Sequence, residues 1–318
     1  MSFFYIFFFL ISCLGLYFAS ELMVKGLMRV ARFLGWREFV VAFFVMSFAA
    51  SLPNFFVGIF SAFHKIPILS FGDIVGGNVI DLTLAIAISA LIAKGLPTDS
   101  RMVQSSSVFT FIIALLPLLL ILDGVLGGGD GIVLILTFML YNFWLFSKKE
   151  RFVKAYEEGT VSRIKEFKPF LRDVGYIFLG LIILLLSAEG IVLSSKFFAY
   201  FFRLDIALIG ILIVSLGNAL PEIYLSVSLA KRGQTWMILG NLMGSVIVPA
   251  TLVLGIVSLI APIRIPDFSP FVIARFFLII SALFFFFFVR SDRKISKREA
   301  VFLLLIYIAF VLIEILFR

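Results

Sequence analysis

Three carboxylates stand inside apolar stretches long enough to cross a bilayer: Asp73, Asp81 and Glu222. A charge in hydrocarbon costs roughly 3 kcal/mol or more, and it survives mainly where it faces a protein interior and serves a function there. No basic residue lies near them in sequence to neutralise them. Oxygen-bearing side chains accompany them in short polar islands: Ser51 and Asn54 around Pro53, Asn218 within SLGNALPE (Ser215 to Glu222), and Asn241 and Ser245 within GNLMGS (Gly240 to Ser245). Pro221 cannot donate the helical hydrogen bond and crowds the turn before it, which frees carbonyls around Gly217. Such broken backbone is tolerated at membrane depth only where protein covers it or where it lines a wet cavity. Carboxylates, amides, hydroxyls and freed carbonyls together can supply the roughly six to eight oxygens that calcium takes. The expected chemistry is therefore cation binding. No catalytic residue and no cofactor is expected, the cations being cargo.

Helical spacing groups these residues. Asp73, Gly77 and Asp81 fall at i, i+4 and i+8 and form one stripe, and Asn241, Ser245 and Pro249 form a second. The alternative for Asp73 and Asp81 is a packing role between helices. Weaker candidates are Glu21 and Glu189, read as gate residues or as interfacial carboxylates, and His64, read as a solvated loop histidine.

The elements that must position these groups follow from composition. A chain of 318 residues that is 62% hydrophobic and 14% charged, with mean hydropathy +1.17, is an all-α polytopic membrane protein without a separate soluble domain. A single cysteine, Cys13, excludes a disulfide framework and a cysteine-based metal site. The Phe residues, including the run from Phe284 to Phe288, read as lipid-facing bulk. Apolar runs place ten spans near 3–24, 38–63, 67–93, 102–122, 130–147, 173–200, 205–230, 236–260, 270–289 and 299–317. The net charge of +8 does not indicate nucleic acid, because the basic residues lie in short loops. Of the 27 Lys and Arg, 21 fall on one side of the ten-span layout and 6 on the other. The positive-inside rule puts both termini outside the cell membrane and the hydrophilic 148–172 linker in the cytoplasm.

That linker separates two five-span halves, 1–147 and 173–318. Sliding the sequence by 168 positions lays Leu52-Pro53-Asn54 on Leu220-Pro221-Glu222, Gly72 on Gly240, Gly76 on Gly244, and Glu21 on Glu189. An odd number of spans per half makes the halves enter the membrane from opposite sides. Inverted repeats whose broken helices meet at the core are the plan of a secondary transporter.

A Pro turn followed by G-N-x-x-G-S, once per half, resembles the alpha repeats of sodium/calcium exchangers in the calcium/cation antiporter superfamily. The likeness is sharpest in Leu220-Pro221-Glu222 and Gly240-Asn241-x-x-Gly244-Ser245. It implies that spans 2, 3, 7 and 8 form an ion-binding core and that spans 1 and 6 slide against it. Several positions depart from the family pattern. Asn54 stands where the family has a Glu, Gly77 where it has a Ser, and Asp73 where it has an Asn. Asp81 and Pro249 occupy positions that usually hold Asn or Asp, and Ala50 and Ala219 stand where hydroxyls are usual.

The function implied is exchange of calcium for sodium by alternating access, with inorganic cations and the bilayer as partners. A proton-coupled exchanger is the first alternative, since clustered carboxylates also take up protons. A non-transporting relative of the fold is the second. An intramembrane hydrolase is not expected. One His cannot make a zinc protease site, and Gly127-Gly128-Gly129-Asp130, which superficially fits the G-x-G-D motif of presenilin-like enzymes, lacks a Tyr-Asp partner on the preceding span.

Overall fold

A chain this apolar has to satisfy its backbone N–H and C=O groups internally, and helices do so within each segment. The computed structural model describes residues 2–33, 46–147, 167–291 and 293–317. Among the described residues nine helices are long and apolar enough to cross a membrane, and a shorter apolar one covers Leu52–Phe63. We label the helices by span. The first half contains α1 (Ser2–Phe33), α2 (Met46–Ala50 and Leu52–Phe63), α3 (Pro67–Ile92), α4 (Arg101–Leu120) and α5 (Gly128–Ser147). The second contains α6 (Phe167–Phe202), α7 (Ile206–Lys231), α8 (Thr235–Val248, continued through Pro249–Val253 and Leu254–Ile260), α9 (Val272–Arg290) and α10 (Lys297–Leu316). The first part of the expected second span, 38–45, lies outside the described residues, as does most of the expected linker, 148–166. Residues 167–172 of that linker are helical and belong to α6.

The offset of 168 holds in the backbone. Pro67–Ile80 in α3 corresponds to Thr235–Val248 in α8, and Ile86–Ile92 to Leu254–Ile260. Between them each helix carries a π-helical turn, Asp81–Ala85 in one and Pro249–Val253 in the other. The corner before each is also the same. His64 (φ −77°, ψ 4°) matches Arg232 (φ −87°, ψ 0°), and Lys65, at φ 60°, matches Gly233, at φ 70°. Lys65 holds a left-handed conformation that favours glycine, and its counterpart is a glycine.

The helix interruptions are not placed as the prolines suggest. In α2 the break falls at Ser51, two residues before Pro53. Helix α7 runs unbroken through Pro221, and its irregularity is the π-helical turn Ile209–Val214 nearer its start. That turn lies where α3 and α7 come closest. A Cβ on Gly72 would sit 2.5 Å from the Ala207 carbonyl oxygen, and one on Gly210 would sit 2.6 Å from that of Leu69. The glycines are there so that the two backbones can touch.

Two short antiparallel strand pairs interrupt the all-helical plan. They form from β1 (Leu96–Pro97), β2 (Val125–Leu126), β3 (Ile263–Arg264) and β4 (Lys294–Ile295): β1 pairs with β4, and β2 with β3. Each joins a loop of one half to a loop of the other. Because α4 crosses the membrane between β1 and β2, the two pairs lie on opposite faces.

The buried apolar residues form two clusters. One lies within α3 to α5 and α7 to α10; the other lies between α1 and α6 and along the sides of α2, α3 and α7 that face them. Helices α1 and α6 pack closely, because Gly15 meets Ser187, Gly26 meets Ile177, Gly180 meets Met23 and Gly190 meets Ser12. An Arg29–Asp173 ion pair at 3.0 Å and stacked Tyr5 and Phe197 rings fasten the pair at its ends. The Phe residues are not all lipid-facing bulk. Phe287 is exposed, but Phe285, Phe71 and Phe271 are fully buried, the last two in edge-to-face contact.

Candidate functional site

The site forms where α2, α3, α7 and α8 cross. Asn54 comes from α2 just past the Ser51 break. Asp73, Gly77, Asn78 and Asp81 come from one face of α3, Ser215, Ala219 and Glu222 from α7, and Ser245 and Pro249 from α8. These residues and Ile74 line one small cavity. It offers about 10 Å³ to the centre of a water-sized sphere, the scale of a single water or a bare ion. All three acids are buried, Asp73 and Glu222 at 1% exposure and Asp81 at 5%. Glu222 shares this cavity with Asp73 and Asp81.

Asn218 ties the two halves together here. Its side-chain amide donates one hydrogen bond to Asn54 Oδ1 at 3.0 Å and another to Asp73 Oδ2 at 2.8 Å. Both amide protons are then committed, and its own oxygen can only accept. The Ser245 hydroxyl donates to the Leu242 carbonyl at 3.0 Å, so its lone pairs remain for the site, where it stands beside Asp81. At the cavity and on Asn218 beside it, four buried oxygens have no hydrogen-bond partner among the described residues: Asp73 Oδ1, Asp81 Oδ1, Asn218 Oδ1 and Glu222 Oε2. A buried unpaired oxygen is costly, and a cation is a partner that can serve several at once. The described residues contain no three His, Cys, Asp or Glu side chains close enough to hold one ion by themselves. A cation in this cavity would therefore draw on amide, hydroxyl and backbone oxygens as well as carboxylates.

Of the eight candidate ligands, Asn54, Asp73, Asp81, Glu222 and Ser245 line the cavity, and Asn218 reaches it through two of them. Ser51 and Asn241 do not line it. Ser51 is buried at the break in α2. Asn241 is buried one turn before Ser245, and both polar atoms of its side chain lack a partner among the described residues. On α8 the cavity reaches Ser245 and Pro249 but stops short of Asn241. Sequence reasoning missed Asn78 and Ser215 as lining residues. Asn78 flanks the stripe on α3, and Ser215 belongs to the same polar island as Glu222, which was the available signal.

His64 is not a free loop histidine. Its Nε2 lies 2.6 Å from Glu189 Oε1, and the ammonium of Lys196 donates to its Nδ1 at 3.1 Å. Because Lys can only donate, Nδ1 is the acceptor and Nε2–H donates to Glu189. Glu21 pairs with Lys25 on its own helix at 2.5 Å. Asp130 caps the start of α5, accepting from the Gly127 amide at 2.8 Å.

A family profile described as sodium/calcium exchanger protein matches residues 4–147 and 173–316. The uncharacterized membrane protein MJ0091 of Methanocaldococcus jannaschii is 26% identical over 301 residues, covering 95% of each chain. The sodium/calcium exchanger MaX1 of Methanosarcina acetivorans is 24% identical, covering 96% of this chain and 97% of its own. A solved structure of the sodium-calcium exchanger NCX_Mj, soaked with 10 mM Na+ and 10 mM Sr2+, superposes with a TM-score of 0.69 at 25% identity, over 98% of this chain and 99% of that one.

Proposed function

The chain belongs to the sodium/calcium exchanger family, and from that premise we propose that it is a secondary active antiporter exchanging calcium for sodium across the cell membrane by alternating access. The observation that carries this reading is that three buried acids from both repeats, Asp73, Asp81 and Glu222, each with an unpartnered oxygen, line one ion-sized cavity. Asp73, Asp81 and Glu222 supply the charge for a divalent ion, Asn54 and Asn218 supply amide oxygens, and Ser245 supplies a hydroxyl. Calcium needs many oxygens and tolerates irregular geometry, which suits a site built from four helices.

The test is calcium uptake into liposomes under an imposed sodium gradient and, separately, under an imposed pH gradient. Uptake driven by sodium and indifferent to pH is expected. Uptake driven only by pH would replace sodium with protons, a reading that the small side chains of Gly77, Ala50 and Ala219 favour because they remove hydroxyls a sodium ion would use. No uptake under either gradient would mark a non-transporting relative.

The division of basic residues supports an orientation with both termini outside and residues 148–172 in the cytoplasm. After replacement of the buried Cys13, Gly128→Cys should react with an impermeant thiol reagent outside intact cells and Glu158→Cys should not. The opposite labelling would invert the orientation.

A further inference from the structure

The 168-residue offset relates two pairs of side chains that the transport site does not use. Glu21 corresponds to Glu189, and Arg232 corresponds to His64. Each pair has one member on the α1/α6 unit and one at a corner where α2 or α7 ends. The pairs lie on opposite faces, because α1 carries Glu21 toward the face where α7 ends, and α6 carries Glu189 toward the face where α2 ends.

The two pairs are in different states. Glu189 and His64 are in contact at 2.6 Å. Glu21 instead turns to Lys25, and Arg232 has no ion-pair partner among the described residues. Both line a cavity of about 240 Å³ between α1, α7 and α8, together with Tyr17, Tyr224, Ser228 and Pro221. Pro221 marks its inner end, and the next residue, Glu222, already lines the ion-sized cavity. On one face the pair is thus apart beside a cavity that reaches the residue before Glu222, and on the other the pair is in contact.

We propose that Glu21–Arg232 and Glu189–His64 are two gate pairs, one on each face, that close in alternation. In an inverted repeat the arrangement of one half at one face is available to the other half at the opposite face. Closing the open face brings Glu21 from Lys25 to Arg232, and opening the closed face parts Glu189 from His64. The two events are linked because α1 and α6 are packed along their length through Gly15, Gly26, Gly180 and Gly190 and move as one body. The gates are not equal. Lys25 offers Glu21 a partner while its gate is open, whereas the position matching Lys25 is Leu193, which offers Glu189 none. On the proposed orientation this favours the state open to the cytoplasm.

This inference rests on the alternating-access reading, and its test requires no ion flux. In a Cys13→Ser background, Glu21→Cys with Arg232→Cys, and separately His64→Cys with Glu189→Cys, are oxidised in membranes. Crosslinking is scored as protection from a mass-tagging maleimide. Both pairs should crosslink, the first across what is a cavity in this structure. A third cysteine, Ser228→Cys, should label at least fivefold more slowly when 21 and 232 are joined than when 64 and 189 are joined. A second measurement needs no crosslink: Glu189→Gln should slow labelling of Ser228→Cys, and Glu21→Gln should not. Failure of 21 and 232 to join while 64 and 189 do, or equal labelling at 228 in both locked proteins, would overturn the gates. Alternating protection in a protein that moves no calcium would uphold them and refute the transport reading alone.

Discussion

In α3 and α8 the two repeats share a backbone to the residue, yet across the core they share almost none of their site chemistry. At the matched positions of α2 and α7 the first repeat has Asn54 and the second Glu222. At those of α3 and α8 the first has Asp73, Gly77 and Asp81, and the second Asn241, Ser245 and Pro249. Each carboxylate faces a neutral residue at its counterpart. The comparison teaches that the fold constrains helix ends, π-helical turns and corners twice over, while the ligand set is constrained only as a sum. What the cavity needs is a total charge and enough oxygens, and either half can provide them.

The largest effect should come from removing the second repeat's one acid at the cavity. Glu222→Gln should lower calcium exchange by on the order of 100-fold or more at normal expression, since unbalancing a buried charged cluster costs roughly 3–5 kcal/mol. Flux close to wild type, measured in proteoliposomes, would take Glu222 out of the site.

A sharper test moves charge between positions in the first repeat. Asp81→Asn should lose about tenfold or more, and adding Asn54→Glu should restore part of it, because position 54 lines the same cavity and already accepts from Asn218. The coupling between the two changes should reach about 1 kcal/mol. Asn54→Glu alone should slow turnover by holding the divalent ion too well. Additive losses in the double variant would show that the cavity does not count charge as a sum.

Much of this arrangement was legible in the sequence, and the reason is repetition. Two weak patterns at a fixed offset locate each other, so Leu52-Pro53 with Leu220-Pro221, and Gly72 with Gly240, set the register of one repeat on the other. The stripe rule placed Asp73 and Asp81 together because a helix face is a local property. It overreached at Asn241, since spacing along one helix says nothing of how large a cavity its neighbours leave. The contact of His64 with Glu189 joins residues far apart in sequence, and a lone histidine at a polar corner carries no periodic signal. The interruption of α2 at Ser51 and the unbroken course of α7 through Pro221 were hidden for a related reason. A proline says that one hydrogen bond is lost, but packing decides whether the helix parts there.

The smallest effect should come from restoring symmetry. Ser245 has Gly77 as its counterpart, and a Cβ added at Gly77 would meet nothing within 4 Å. Gly77→Ser should therefore fold normally and raise the apparent sodium affinity by about two- to threefold, the worth of one added hydroxyl contact of roughly 0.5 kcal/mol. An unchanged sodium dependence would mean that position 77 does not touch the coupling ion.

The two strand pairs bear on the order in which the protein is made. Leu96 meets Ile295 and Leu126 meets Ile263, partners about 200 and about 140 residues apart. Pairings this distant close long loops and form late. A nascent chain emerging from its N-terminal end carries β1 and β2 exposed through the synthesis of every later helix up to α8, with neither strand matched. The second pair can fasten only once β3 appears, and the first only when β4 arrives ahead of α10. Both clasps thus wait for the last fifth of the polypeptide, and a chain cut short before β4 lacks one of the two however well its earlier helices are placed.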